Sequence, residues 1–192
     1  MLKAAVIGAG SMGRNHARLY RTLEGVRLVG IADKNPDIAA RIGVRENVPF
    51  YADLETLLDE QKPDLVSIAA PTSLHYEVGT KVIERGIHVL MEKPITSNVE
   101  QGEMLLEQAK RKGVILAVGH IERFNPAVAE LRRRLNEGMA GRIYKVASRR
   151  FSPYPSRISD AGVVIDLASH DIDLMRHLMP DPITRIYAET LQ

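Results

Sequence analysis

The octapeptide VIGAGSMG, Val6 to Gly13, places Gly8, Gly10 and Gly13 at the spacing G-x-G-x-x-G, directly after an apolar run and directly before a helix-period segment. Alone, this pattern is common. Between a strand and a helix each glycine has a separate reason to be there. The first permits a tight turn, the second lets backbone approach a pyrophosphate, and the third lets the helix pack on the strand. The helix N-terminus, with Ser11 and Met12 in its first turn, then faces the anion. Asp33 ends the next apolar run, 20 residues beyond Gly13. A carboxylate there accepts hydrogen bonds from ribose hydroxyls and repels a 2′-phosphate, so the segment reads as a site for NAD. Lys34 beside it leaves room for NADP.

Working outward, the runs KAAVIG, VRLVGIAD, DLVSIAAP, IHVLME and VILAVG are continuously apolar, as parallel strands buried on both faces are. Helix-period segments alternate with them: Met12–Leu23, Pro36–Ile42, Leu54–Gln61, Leu74–Arg85 and Val99–Lys112. Gly25, Gly43, Gly86 and Gly113 follow four of the ends, where a left-handed C-cap favours glycine. Ser97 and Glu100 suit a capping box, and Thr72 or Ser73 an N-cap. Strict strand–helix alternation predicts an α/β fold, a doubly wound parallel sheet with right-handed crossovers, over residues 1–120.

Residues 121–192 change pattern. A helix is expected over Pro126–Glu137, then an alternating strand in GRIYKVASRR (Gly141–Arg150), a Pro- and Ser-rich loop, a helix in GVVIDLASHDIDLMRHLM (Gly162–Met179) and a last strand near Ile183–Thr190. This second domain reads as incomplete α+β with an open sheet, whose apolar edge predicts homo-oligomers. In the Gly162–Met179 helix, Asp166, His170, Asp173 and His177 would form one stripe, and Ile165, Ile172, Met175 and Met179 a packing stripe. The polar stripe is a solvated face, a metal site from Asp166, His170 and His177, or a catalytic face.

Two further stretches bear on chemistry. Ala70, Pro71 and Thr72 leave a strand at its C-terminal end, which in an open parallel sheet faces the ligand crevice. His75, just beyond, is a surface first-turn histidine or a cofactor contact. In VLMEKPIT, Glu92 and Lys93 end another strand before Pro94, so Lys93 either stabilises a developing alkoxide in the crevice or forms a solvated ion pair.

Composition narrows the class. The 192 residues are 45% hydrophobic and 26% charged with a net charge of +2, ordinary for a globular chain with no general attraction to nucleic acid or anionic membrane. The absence of cysteine removes disulfides, thiolate metal sites and thiol nucleophiles. The short apolar run at the N-terminus fits neither a signal peptide nor a membrane span, so a cytoplasmic location is expected.

Together, the glycine motif, EKP at Glu92–Pro94 and D-x-x-x-H-D at Asp166–Asp171 resemble the glucose-fructose oxidoreductase, inositol dehydrogenase and MocA family of sugar dehydrogenases. The motifs occur in order across essentially the whole chain. The resemblance implies a Rossmann domain binding NAD, a sugar substrate and no metal. It also implies a catalytic pair Lys93 and His170 with Asp166 beside His170; Asp173 and His177 stay structural. GHIERFNPAV and GVVIDLASHDIDLM look most similar to UDP-N-acetylglucosamine 3-dehydrogenases and related nucleotide-sugar enzymes, implying oxidation at C3 of a UDP-N-acetyl-hexosamine. Family members carry a longer second domain than residues 121–192 supply, so a fragment or a short form is expected.

Overall fold

A computed structural model describes residues 1–149, 151, 164–179 and 181–189. They fall into two compact units, Met1–Gly119 and His120–Gln192.

The first unit is built on a parallel sheet. Its strands are β1 (Leu2–Ile7), β2 (Val26–Ala32), β3 (Phe50–Tyr51), β4 (Leu65–Ile68), β5 (His88–Met91) and β6 (Leu116–Val118), in the order β3-β2-β1-β4-β5-β6. The helices between them are α1 (Ser11–Thr22), α2 (Pro36–Glu46), α3 (Leu54–Gln61), α4 (Thr72–Glu84) and α5 (Val99–Lys112). The chain starts in the middle of the sheet, winds outward through β2 and β3, then returns past β1 to β4. That reversal makes a topological switch point at the C-terminal ends of β1 and β4, where a crevice opens.

Strand alternation divides the core between the two faces. Ala4 and Val6 pack with Ala17, Tyr20, Leu28 and Ile42. Ala5 and Ile7 turn the other way, into a larger cluster with Leu57, Val66, Ile68, Val82, Val89, Met91 and Leu105. Each fully buried Val, Ile, Leu or Met contributes roughly 1.5–3 kcal/mol. In α1 the buried residues Gly13, Ala17 and Tyr20 recur at helical spacing and fix which face meets the sheet.

Several local expectations are corrected. β3 has only two residues and no apolar run to announce it. α2 runs to Glu46 and ends at Asn47, whose φ of 54° supplies the left-handed cap. Gly43 lies inside that helix, where a Cβ would stand 2.7 Å from Phe50 Cβ. The N-cap of α5 is Asn98, which accepts from the Gln101 N–H, and not Ser97. α4 has no side-chain cap from Thr72 or Ser73; Pro71 precedes it.

In the second unit, α6 (Pro126–Asn136) forms as expected. A π-helical segment, Val164–Ala168, leads into α7 (Ser169–Leu178). The wider turn interrupts the assumed α-helical register between Asp166 and His170. The packing stripe is also corrected, because Ile172 is 48% exposed while Asp173 is buried. No strand forms at 141–149 or 181–189, so the expected open sheet is absent from the described residues. Two isolated strands are marginal without further partners. The remainder of both strand predictions, at Arg150 and Thr190, lies outside the described residues. No helix among the described residues is long and apolar enough to cross a membrane.

Candidate functional site

The crevice at the switch point is a cleft of about 560 Å³ in the first unit. Gly8, Gly10, Asp33, Lys34, Ala70 and Pro71, all expected here, line it. Asn35, Asp53, Glu77 and Lys81 line it too and carried no sequence signal.

The three glycines have distinct geometry. Gly8 has φ +88°, and a Cβ on it would lie 2.6 Å from the backbone of Ala69 and Ala70. A Cβ on Gly13 would lie 1.7 Å from the Gly8 carbonyl oxygen. Gly10 has nothing within 4 Å, so the space above it is open. Gly10 is also the N-cap of α1 and offers no side-chain acceptor, leaving the first-turn N–H groups, those of Ser11 and Met12 included, for an external anion. These features fit a dinucleotide pyrophosphate.

The Asp33 carboxylate accepts from the Ala9 N–H at 2.7 Å and from the Asn35 N–H at 2.9 Å. It therefore ties the end of β2 to the glycine loop. Each carboxylate oxygen can still accept a second hydrogen bond, so the arrangement also fits ribose hydroxyls.

Of the two readings of His75 the surface one is excluded, because the residue is buried, 1% exposed; as an expected cofactor contact, it is not among the residues lining this cleft. Its Nδ1 lies 2.8 Å from the Pro94 carbonyl oxygen and its Nε2 2.9 Å from that of Ala70. The ring thus stands between the carbonyls that follow β4 and β5. Thr72 begins α4 and Lys93, half-buried, follows β5; neither lines this cleft.

Glu92 is buried, and its Oε1 lies 2.8 Å from Nε2 of His16 on α1. His16 Nδ1 lies 3.2 Å from Ser67 Oγ, which lies 2.5 Å from the Tyr20 hydroxyl. Burial is the main cause that pushes the Tyr20 phenol above its ordinary range, with the Ser67 hydrogen bond opposing it. Sequence reasoning missed this chain; the only available signal was a histidine on the sheet-facing side of α1.

In the second unit, His170 stands in the first turn of α7, half-buried. The side chain of Asp166 lies outside the described residues. Asp173 receives a bidentate hydrogen bond from Arg123, with His120 Nδ1 at 3.6 Å. Desolvation pushes its carboxyl upward, but the Arg123 hydrogen bonds and the nearby charges of His120, Arg123 and His177 outweigh it and hold it below the usual range. Desolvation and then Arg132 keep His177 below the ordinary imidazole value. No group of three or more metal-ligating side chains occurs among the described residues.

A doubly wound sheet with an uncapped glycine-rich helix start and a carboxylate just past the second strand defines a dinucleotide-binding domain. Residues 2–120 match the model described as "Oxidoreductase family, NAD-binding Rossmann fold", and residues 128–192 match the "GFO/IDH/MocA C-terminal domain". The chain belongs to the Gfo/Idh/MocA oxidoreductase family. It is 35% identical over 173 residues to the UDP-N-acetylglucosamine 3-dehydrogenase of Acidithiobacillus ferrooxidans, covering 90% of this chain and 53% of that protein. It is 31% identical over 194 residues to the scyllo-inositol 2-dehydrogenase (NAD(+)) of Bacillus subtilis, covering 96% and 56%. Among solved structures, the WlbA dehydrogenase of Bordetella pertussis in complex with NADH and UDP-GlcNAcA superposes with a TM-score of 0.86 at 26% identity, over 92% of this chain and 55% of that one. The chain thus spans about half the length of the relatives it matches.

Proposed function

We propose that this chain carries the cofactor domain and catalytic helix of an NAD-dependent dehydrogenase that oxidises a secondary hydroxyl of a sugar, at C3 of a UDP-N-acetyl-hexosamine. The observation that carries the cofactor half is the open, uncapped backbone at Gly10 beside Asp33. The similarity to a UDP-N-acetylglucosamine 3-dehydrogenase supports the substrate; relatives named for inositol support a free polyol instead. A bound nicotinamide supplies the hydride acceptor. His170 takes the hydroxyl proton, a role suited to an imidazole with an unperturbed pKa of about 6.5. Lys93 steadies the alkoxide as its charge develops. Asp166 acts on His170, by orienting the ring or favouring its charged form.

A second reading, a dinucleotide-binding unit without turnover, is favoured by the absence of sheet at 141–149 and 181–189. Titration with NADH followed by addition of NAD with UDP-N-acetylglucosamine, UDP-N-acetylglucosaminuronate or inositol separates the readings. Nucleotide binding with NADH formation on a UDP-sugar is expected. Binding without turnover on any sugar, repeated in a protein carrying the whole length of its relatives, selects the second reading, and no binding of NADH overturns both.

A further inference from the structure

Between α1 and the strands β4 and β5, four polar side chains make one largely buried chain. It runs from the Tyr20 hydroxyl through Ser67 Oγ and the His16 ring to Glu92 Oε1. Ser67 is 0% exposed, Tyr20 7% and Glu92 9%. An apolar core needs none of them, and buried polar groups cost stability unless every one is satisfied. One proton assignment satisfies all of these links. Tyr20 donates to Ser67, Ser67 donates to His16 Nδ1, and the ring carries its hydrogen on Nε2 and donates it to Glu92. Every donor in the chain points toward the carboxylate. In that assignment the chain fixes where the Glu92 carboxylate stands.

The sheet indicates what that place faces. Asp33 stands on the β2 side of the switch point, and the α1 N-terminus stands over β1. A dinucleotide with its first ribose at Asp33 and its pyrophosphate at α1 extends across the switch point, toward the C-terminal ends of β4 and β5. Glu92 is the residue that follows β5; it is buried and is not among the residues lining the cleft, so its charge would act through the protein and not by direct contact. Its carboxylate lies 3.4 Å from where a Cβ on Gly119, just past β6, would stand.

We propose that Glu92, held by His16, selects the redox state of the cofactor. Its fixed carboxylate favours the positively charged nicotinamide of NAD⁺ over the neutral ring of NADH. The proposal rests on the reading of this crevice as the dinucleotide site. Charge acts strongly here because the carboxylate is largely withdrawn from water. Lys93, next in the chain, carries the opposite sign, so replacing Glu92 alone isolates its share.

The test is isothermal titration of the full chain with NAD⁺ and, separately, with NADH. Glu92→Gln keeps the side-chain volume, and its amide can donate to His16 once the ring proton moves to Nδ1 and is donated to Ser67, so the buried chain closes again. It is expected to raise the ratio Kd(NAD⁺)/Kd(NADH) by about tenfold. His16→Ala leaves the carboxylate without its donor and is expected to raise the ratio by less, carrying the test by itself if Glu92→Gln does not fold. A purely structural role would weaken both nucleotides alike. A ratio unchanged within about twofold in the folded variants, or one that falls, overturns the proposal. Failure of the unsubstituted chain to bind either nucleotide is a different result, and removes the dinucleotide reading on which the proposal stands.

Discussion

The Asp33 carboxylate takes the Ala9 N–H at 2.7 Å, so the residue we propose to select the ribose also braces the glycine loop. Its two roles separate by substitution. Asp33→Asn can keep an acceptor for the Ala9 N–H but turns its amide nitrogen toward the Asn35 N–H, and it loses the charge; it should reduce the preference for NAD over NADP by about tenfold, near 1.4 kcal/mol, with a smaller loss of stability than truncation. Asp33→Ala should lose the same preference and about 1 kcal/mol of stability besides. Paired titrations with both nucleotides, beside thermal melts, check this; an unchanged preference in both variants would take Asp33 out of the site.

The three motif glycines should fail in different ways. Alanine at Gly8 or Gly13 drives a methyl into backbone at 2.6 Å or 1.7 Å and should cost at least ~2 kcal/mol of stability. Gly10→Val points into open space and should leave unfolding nearly unchanged while abolishing NADH binding. Denaturant unfolding and nucleotide fluorescence, measured on the same three variants, distinguish these outcomes.

Lys93→Ala and His170→Ala should each lower kcat by roughly 10² or more and leave NADH affinity within about twofold, since neither is assigned to the pyrophosphate. The assay belongs in a protein carrying the whole length of its relatives if this chain alone does not turn over. Unaltered kcat in both variants would dismiss the catalytic assignment.

Asp173 predicts an acid sensitivity of the second unit. Its folded carboxyl lies below the ordinary range, so the unfolded chain binds the proton more readily. The stabilisation is complete above the unfolded value of about 3.9 and disappears as pH falls through the lower folded one. Arg123 is 41% exposed, which keeps the pair below the full cost of a buried ion pair. Arg123→Ala should therefore cost about 1–2 kcal/mol near pH 7, and the gap between variant and parent should close below about pH 4. Urea unfolding from pH 7 to 3, monitored at α7 amides, measures it; a gap independent of pH would show that the Asp173 charge plays no part.

Much of the first unit was legible because strands buried on both faces leave continuous apolar runs, and the glycine motif names its own neighbours. What escaped depends on contacts distant in sequence. Phe50 and Tyr51 carry no apolar run, and β3 exists because Ile31 and Ala32 offer an edge. Gly43 looked like a cap and is instead a seat for Phe50. Glu92 was expected at the crevice and is not among the residues lining the cleft; its partner His16 lies 76 positions away on another element, where no local period connects them. Asp173 read as part of a polar stripe and is buried, because Arg123, 50 residues earlier, satisfies it. In the second unit alternation at 141–149 promised a strand, yet a ladder requires a partner that local sequence cannot supply.

The brevity of β3 gives the crevice two walls of unequal permanence. Two residues pair with β2, and Phe50 is 46% exposed, so this edge can open without disturbing β1 and β4 at the centre of the sheet. Ala52, Asp53 and Leu54, which continue from it, line the cleft on that side. In hydrogen–deuterium exchange the amides of residues 50–54 should label early while those of β1 and β4 stay protected. Saturating NAD should slow the first group far more than the second, as the nucleotide draws the yielding wall against the rigid one. Uniform slowing throughout the sheet would mean that the edge opens only when the whole unit does.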